Sequence, residues 1–356
     1  MKILVAPLNW GLGHASRCVP LVHRFLDEGH EVILGGDGES LTLLRKHFPK
    51  LRYVYLAPLN LRYSKGHRQV GAMLCALPKL LGWMIKDHAI LRSVLREEHI
   101  DQIVSDNRFG LYLSNSPKDG LSVKRSISET VCQAKPVCIY LTHQLHIMLP
   151  KGWKWLEPLA ARLHARIYTR YNKVWVPDYA DPDKSLAGEL SHLDNVQRDN
   201  VQCTIEYIGP LSRFSRSVQG ASGTAKYEVV AVMSGLEPQR TMLEKELLAR
   251  YQDATQTVLI VQGLMHRPNT RIQRGKITIV PHVDDAELAT ALKGAKHIIA
   301  RSGYSTIMDL NALGLLSVGE TGGSKEGPLI ELIPTPGQPE QEYLSARFLE
   351  KNAENC

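Results

Sequence analysis

The order in which short apolar runs and helical patterns succeed one another is what most restricts the fold of this chain. KILVAPL (2–8) leads into a helical pattern from about Ser16 to Glu28, and EVILGG (31–36), a helix near Ser40–His47 and RYVYLA (52–57) follow. DQIVSD (101–106), PVCIYLT (136–142) and KVWVPD (173–178) continue the series. A second series opens at EVVAVM (228–233) and passes through a helix ending near Arg250. It runs on through TVLIVQG (257–263), KITIVP (276–281), HIIA (297–300), a helix to Leu313 and IELIP (330–334). Strands in alternation with helices predict parallel sheets covered on both faces. Two series predict an α/β chain of two Rossmann-like domains, 1–208 and 225–356, joined by a linker at 209–224. With 356 residues the chain has the length for two domains. Its 44% hydrophobic and 22% charged residues exclude a disordered, collagen-like or disulfide-scaffold protein.

Charge is distributed unevenly. The net +7 lies wholly before residue 211, where 27 Lys and Arg face 20 Asp and Glu; residues 50–173 alone hold 20 against 8, a local +12. Such a block attracts an anionic partner. Within it, 72–95 is apolar at helical spacing with Lys79, Lys86 and Arg92 interspersed. In 149–171, Trp153 and Trp155 lie among Lys151, Lys154, Arg162, Arg166 and Arg170. Both suit a helix lying on an anionic membrane surface, and both equally suit an amphipathic helix packed on its own sheet. No segment reaches the ~20 apolar residues a spanning helix needs. The opening strand is not a signal peptide, and none of the cysteines forms a CxxC pair. A cytoplasmic protein is expected, peripheral on the inner face of the cytoplasmic membrane.

In open α/β sheets ligands bind beyond the carboxyl ends of the strands, so the loops there carry the functional reading. After the first strand, NWGLGHASR places Gly11 and Gly13 where a backbone approaches a ligand, with His14 at the loop mouth and Arg17 one turn in; the helix N-terminus behind them favours an anion. VMSGLEPQR repeats the arrangement with Ser234 and Gly235, and Arg240 is placed to add a charge-assisted bond to a phosphate. ARSGYSTIMDLNALG delivers Arg301, Ser302 and Gly303 into a turn and sets Asp309 on the following helix, where a carboxylate suits two ribose hydroxyls. IPTPGQPEQEYLSA stiffens a loop around Gly337 with prolines and follows it with Glu340, Gln341 and Glu342, groups that suit sugar hydroxyls.

The succession GxGHxxR, SGxxxxR, RSGxxTxxD and PTxGQxEQxxxA resembles the GT-B glycosyltransferases, two Rossmann-like domains facing an interdomain cleft. More narrowly it resembles glycosyltransferase family 28, which includes the bacterial enzyme adding N-acetylglucosamine to lipid I and the diacylglycerol glycosyltransferases. The resemblance implies acceptor contacts at Gly11, Gly13 and His14, with Arg17 and His143 on the same side. It implies that Ser234 and Gly235, with Arg240, hold the donor pyrophosphate, and that Asp309 takes the donor ribose. Backbone groups near His282 and Val283 would hold the base; Glu340 and Gln341 would read the sugar, beside Arg301, Ser302, Gly303 and Gly337. Residues 114–130 read as an added loop, the Gly-rich 316–330 as an excursion, and the closing helices as shortened.

Transfer needs a base for the acceptor hydroxyl; His14 is the first candidate and Asp106 the second. Two helix N-termini would stabilise the leaving diphosphate, so neither a metal nor any other cofactor is expected beyond the nucleotide sugar, and displacement would invert the anomeric centre. Asp181-Pro-Asp183 reads as a turn, not a metal motif, and His143 and His146 share a face only if their segment is helical. A nucleotide-sugar donor, UDP-linked by the family's habit, and a lipid-linked acceptor are the expected partners. Nucleic acid is not, since it would leave the four loops unexplained. The competing readings are a nucleotide-sugar 2-epimerase on the same fold and a non-catalytic accessory protein that binds a nucleotide sugar.

Overall fold

A computed structural model describes residues 1–59, 69–113, 122–126, 129–132, 135–193, 203–216, 226–316 and 327–354. The chain divides into two compact units. The first takes Met1–Asn9, Leu21–Asn60 and Met73–Pro210. The second is formed mainly by Leu211–Cys356, and Trp10–Pro20 groups with it.

Seven parallel strands form the sheet of the first unit: β1 (Lys2–Pro7), β2 (Glu31–Gly36), β3 (Tyr53–Tyr55), β4 (Gln102–Asp106), β7 (Val137–Leu141), β8 (Lys173–Val176) and β9 (Thr204–Tyr207), in the order β3-β2-β1-β4-β7-β8-β9. Helices α1 (Gly13–Asp27), α2 (Gly38–His47), α3 (Gln69–Glu97) and α4 (Glu157–Tyr168) connect them. Leu4, Ile33, Ile103, Tyr140 and Val174, one from each of five neighbouring strands, share one core cluster. The expectation for 114–130 is corrected in part: Ser122–Ser126 (β5) and Glu129–Cys132 (β6) pair antiparallel as a small separate sheet, and the rest lies outside the described residues. The 149–171 segment is not one helix. A 3-10 stretch over Lys151–Leu156 precedes α4, because Pro158 has no N–H to give and fits only a first helical turn.

In the second unit β10 (Val229–Val232), β11 (Val258–Val261), β13 (Ile277–Val280), β14 (His297–Arg301) and β15 (Leu329–Ile333) are parallel. The short β12 (Ile272–Arg274) pairs antiparallel at one edge, giving β12-β13-β11-β10-β14-β15. Helices α5 (Gln239–Arg250), α6 (Asp285–Gly294), α7 (Tyr304–Ala312) and α8 (Pro339–Glu354) complete it. Residues 317–326 of the Gly-rich excursion and 217–224 of the expected linker lie outside the described residues. Among the described residues, no helix is long and apolar enough to cross a membrane.

Candidate nucleotide-sugar site

In both sheets the first strand has neighbours reached by opposite directions of winding, which opens a crevice at its carboxyl end. In the second unit that place lies between β10 and β14, whose last paired residues include Val232 and Ala300. The turns that follow are Ser234-Gly235 and Ser302-Gly303, so the sheet order brings together two of the loops read from sequence. Gly235 is exposed at φ +99°, a conformation that strains any residue with a Cβ. Trp10–Pro20, grouped with this unit, meets the same turns: a Cβ on Gly11 would lie 3.7 Å from the Gly235 backbone, and one on Gly13 would lie 2.5 Å from Ser305 Oγ. A side chain at Gly13 would therefore force Ser305, in the first turn of α7, to shift.

Arg301 ties this crest together. Only 4% exposed, its guanidinium donates to the carbonyls of Pro334 (3.0 Å) and Gln239 (2.9 Å), with Ile333 O at 3.5 Å. Burial pulls its pKa below the usual value, and its Nε has no hydrogen-bond partner among the described residues. The residue predicted to touch the donor thus spans three loops. Ser302 Oγ donates to Gln341 O (2.8 Å), Gln341 Oε1 accepts from Thr335 N (2.8 Å), and Glu342 Oε1 accepts from Gly337 N (3.1 Å). Gln341 and Glu342 therefore shape the proline loop, while half-buried Glu340 stands at the start of α8. His282 and Val283 are buried just beyond β13.

Two predicted residues have their charge already engaged. Arg240 pairs with Glu237 (2.6 Å) and Glu244 (2.8 Å), and Glu237 also accepts from Thr241 N. The N-terminus of α5 therefore has a carboxylate of its own. Asp309 is buried; its Oδ1 accepts from Ser212 Oγ (2.6 Å), and Arg213 Nε stands 3.4 Å from Oδ2. Burial pushes the Asp309 pKa up to about 6, against the opposing pull of Arg213 and Ser212. By contrast, α7 begins at Gly303 with no side-chain cap and no acidic residue in its first turn. Its neighbour α6 is capped by Asp284 and carries Asp285 and Glu287 there. Of these helices, α7 offers the N-terminus best suited to a bound anion.

His14 is half-buried at the start of α1, and Arg17 Nη2 lies 3.0 Å from its Nδ1. In the first unit, buried Asp106 ends β4 in register with Pro7 and Leu141. His143 is buried two residues past β7, and its segment is a turn, not a helix: Leu145 N and His146 N both donate to Leu190 O (2.7 and 3.0 Å). Asp181 Oδ1 accepts from Asp183 N (3.1 Å), a local turn. Among the described residues no group of three or more His, Cys, Asp or Glu is placed to hold a metal ion.

Sequence reasoning missed the residues that hold the first unit's crest. Arg108, fully buried, donates to Asp37 (2.7 Å), Asp87 (2.9 and 3.1 Å) and Ala57 O (2.6 Å). Its own carbonyl accepts from Ser105 Oγ (2.6 Å) and Tyr171 OH (2.8 Å). Asn107, at φ +54°, makes the turn and accepts from Tyr140 OH (2.6 Å). Asp37 thus caps α2 in position only, since its carboxylate serves Arg108 and Asn9 (3.1 Å). Burial raises the Asp87 pKa against the pull of Arg108. Beyond β8, buried Asp178 accepts from Ser185 Oγ (2.6 Å), Ser191 Oγ (2.6 Å), Tyr179 N (2.8 Å), Leu186 N (2.9 Å) and Ala187 N (3.1 Å). The signal available was an acid or Arg one or two residues past a strand end, a pattern too common to single these out.

No family model matches the chain. An uncharacterized glycosyltransferase of Methanosarcina acetivorans is 24% identical over 337 residues, covering 92% of this chain and 81% of the relative. Among solved structures, the Streptomyces sp. SF2575 glycosyltransferase SsfS6, complexed with thymidine diphosphate, superposes with a TM-score of 0.52 at 14% identity, over 99% of this chain and 86% of that one. The fold is that of the GT-B glycosyltransferases. A UDP-N-acetylglucosamine 2-epimerase from Listeria monocytogenes, so described as putative, reaches the same TM-score of 0.52 at 12% identity, over 100% of this chain and 89% of that one. The GT-B likeness by itself therefore does not separate transfer from epimerisation.

Proposed function

We propose that this GT-B chain is a glycosyltransferase of the family 28 type. It moves a hexose or N-acetylhexosamine from a nucleotide sugar, UDP-linked by preference, to a lipid-linked or membrane-proximal acceptor, with inversion and without a metal. The carrying observation is the uncapped, acid-free N-terminus of α7 at the β10–β14 crevice, beside Arg301 and the Ser234-Gly235 turn, whose glycine is exposed. A diphosphate there meets helix amides and a cation without competing carboxylates in that turn. Transfer is favoured over epimerisation because sequence relatives that span 92% of this chain are described as glycosyltransferases.

The acceptor side of the reading rests on exposed surface. Trp155 (73% exposed), Leu159 and Leu163 recur at four-residue spacing beside exposed Arg162 and Arg166, and on α3 Leu81 and Ile85 (70% exposed) do the same beside Lys86. Apolar ridges flanked by cations match an anionic bilayer, where each basic residue near the surface adds about 1 kcal/mol.

The donor site is tested by thermal shift with UDP, dTDP, GDP, ADP and CDP, without metal. A nucleotide at 100 times its Kd adds about 2.7 kcal/mol. Gly303→Glu is the matched variant. A Cβ there meets nothing within 4 Å, so the substitution brings no clash at its first side-chain atom, while its carboxylate opposes a diphosphate at α7. A shift with one base that Gly303→Glu removes supports the reading; no shift with any nucleotide overturns it.

A further inference from the structure

The main stretch of the second unit begins at Leu211, and consecutive residues there are fastened to α7. Leu211 N donates to Met308 Sδ (3.2 Å), Ser212 Oγ donates to Asp309 Oδ1 (2.6 Å), and Arg213 Nε faces Asp309 Oδ2 at 3.4 Å. Arg213 Nη1 also stands 3.4 Å from Asp285 Oδ1 at the start of α6, and its guanidinium lies over the Phe214 ring. Phe214 is fully buried, and its N–H donates back to Ser212 Oγ (3.1 Å). A hydroxyl has one proton to give; Ser212 gives it to Asp309 while capping the turn that follows. The chain's own alcohol thus stands where the motif predicts a ribose hydroxyl, and the second carboxylate oxygen faces a cation. Asp309 is 9% exposed and Ser212 2%. For two ribose hydroxyls to reach that carboxylate, Ser212 and Arg213 would have to withdraw and Phe214 would lose its cap.

We propose that Asp309 is a positioning residue that fastens residues 211–214 to α7 and does not read the donor's ribose, so that the site takes 2′-deoxyribonucleoside diphosphates as readily as ribonucleoside diphosphates. The fastening follows from the contacts of Asp309 alone; the consequence for the nucleotide rests on the proposed donor reading. A hydroxyl held by a free carboxylate would be worth about tenfold or more in affinity, and that is the preference for ribose this arrangement removes.

The test compares UDP with 2′-deoxy-UDP on the full chain by isothermal titration, without metal. The two Kd values should agree within about fivefold; a wider preference for UDP overturns the proposal. Asp309→Asn, which keeps an acceptor for Ser212 Oγ, should leave their ratio where it is, and a ratio that moves by about fivefold or more overturns it as well. The fastening is read separately, by hydrogen exchange over residues 211–216 without nucleotide. Exchange there should quicken by about tenfold or more in Asp309→Ala, and exchange as slow as in the wild type overturns the positioning role. Should Asp309→Ala not fold, Ser212→Ala removes the same hydrogen bond, leaves the carboxylate in place and is read the same way. If neither nucleotide binds, the donor reading falls, and the exchange measurement alone decides whether Asp309 positions the segment.

Discussion

The strand-end crests of the two units are held by different chemistry. In the first unit a buried cation, Arg108, is gripped by two carboxylates and a carbonyl, and a third buried carboxylate, Asp178, is satisfied by five donors. In the second, Arg301 is held by backbone carbonyls, and amide and hydroxyl groups stitch the proline loop. A crest closed by charge pairs is rigid and electrically satisfied. A crest closed by carbonyls keeps much of a guanidinium's positive potential, which suits an incoming diphosphate. The difference teaches that buried arginines with similar exposure serve opposite ends: one neutralises acids of its own chain, the other retains charge next to the α7 N-terminus.

The comparison breaks first at Arg108. Arg108→Leu strands Asp37 and Asp87 in low dielectric and should cost about 3–5 kcal/mol, since breaking a buried pair leaves an uncompensated charge. Urea unfolding measures it, and a loss under 1 kcal/mol would mean the network is not what holds that crest. Arg301→Met leaves carbonyls short of a donor, without an abandoned charge, and should cost a smaller ~1–3 kcal/mol. It should also abolish the nucleotide-induced thermal shift; a full shift in the variant would show that Arg301 is scaffold alone.

Asp309 sharpens the contrast through pH. Its folded pKa of about 6 lies above the ordinary 3.8, so between about pH 4 and pH 6 the folded chain binds the proton more tightly than the unfolded chain. This group therefore adds stability below pH 4 that is lost as pH rises through 6, of the order of 2–3 kcal/mol in all. Asp309→Asn should lack that decline, so wild type should lose ground to the variant between pH 4.5 and 7. Parallel stability curves would place the carboxylate in a wetter setting than the structure does. The smallest effect is expected at the exposed ridge: Trp155→Ser with Leu159→Ser should leave unfolding within ~0.5 kcal/mol and weaken sedimentation with anionic vesicles. Unchanged sedimentation would remove the membrane from the proposal.

The alternation of apolar runs was enough to read both parallel sheets, because strand and helix periodicities are local and parallel strands require crossovers. Glycine loops at strand ends were legible for the same reason: Gly11, Gly13, Gly235 and Gly303 follow strands wherever those strands pair. The partners of charged residues were not legible. Asp309 was assigned to ligand by motif, and the fold supplies it with Ser212, 97 residues away, and Arg213; the Arg240 partners Glu237 and Glu244, by contrast, stand at helical spacings that the sequence does show. The sequence alone determined the layers, the strand ends and the glycines, all products of short-range pattern. Which charge meets which was decided by tertiary structure, because Asp37, Asp87 and Arg108 lie on three different elements and their interaction depends on burial and on distances of a few ångströms that no spacing along the chain encodes.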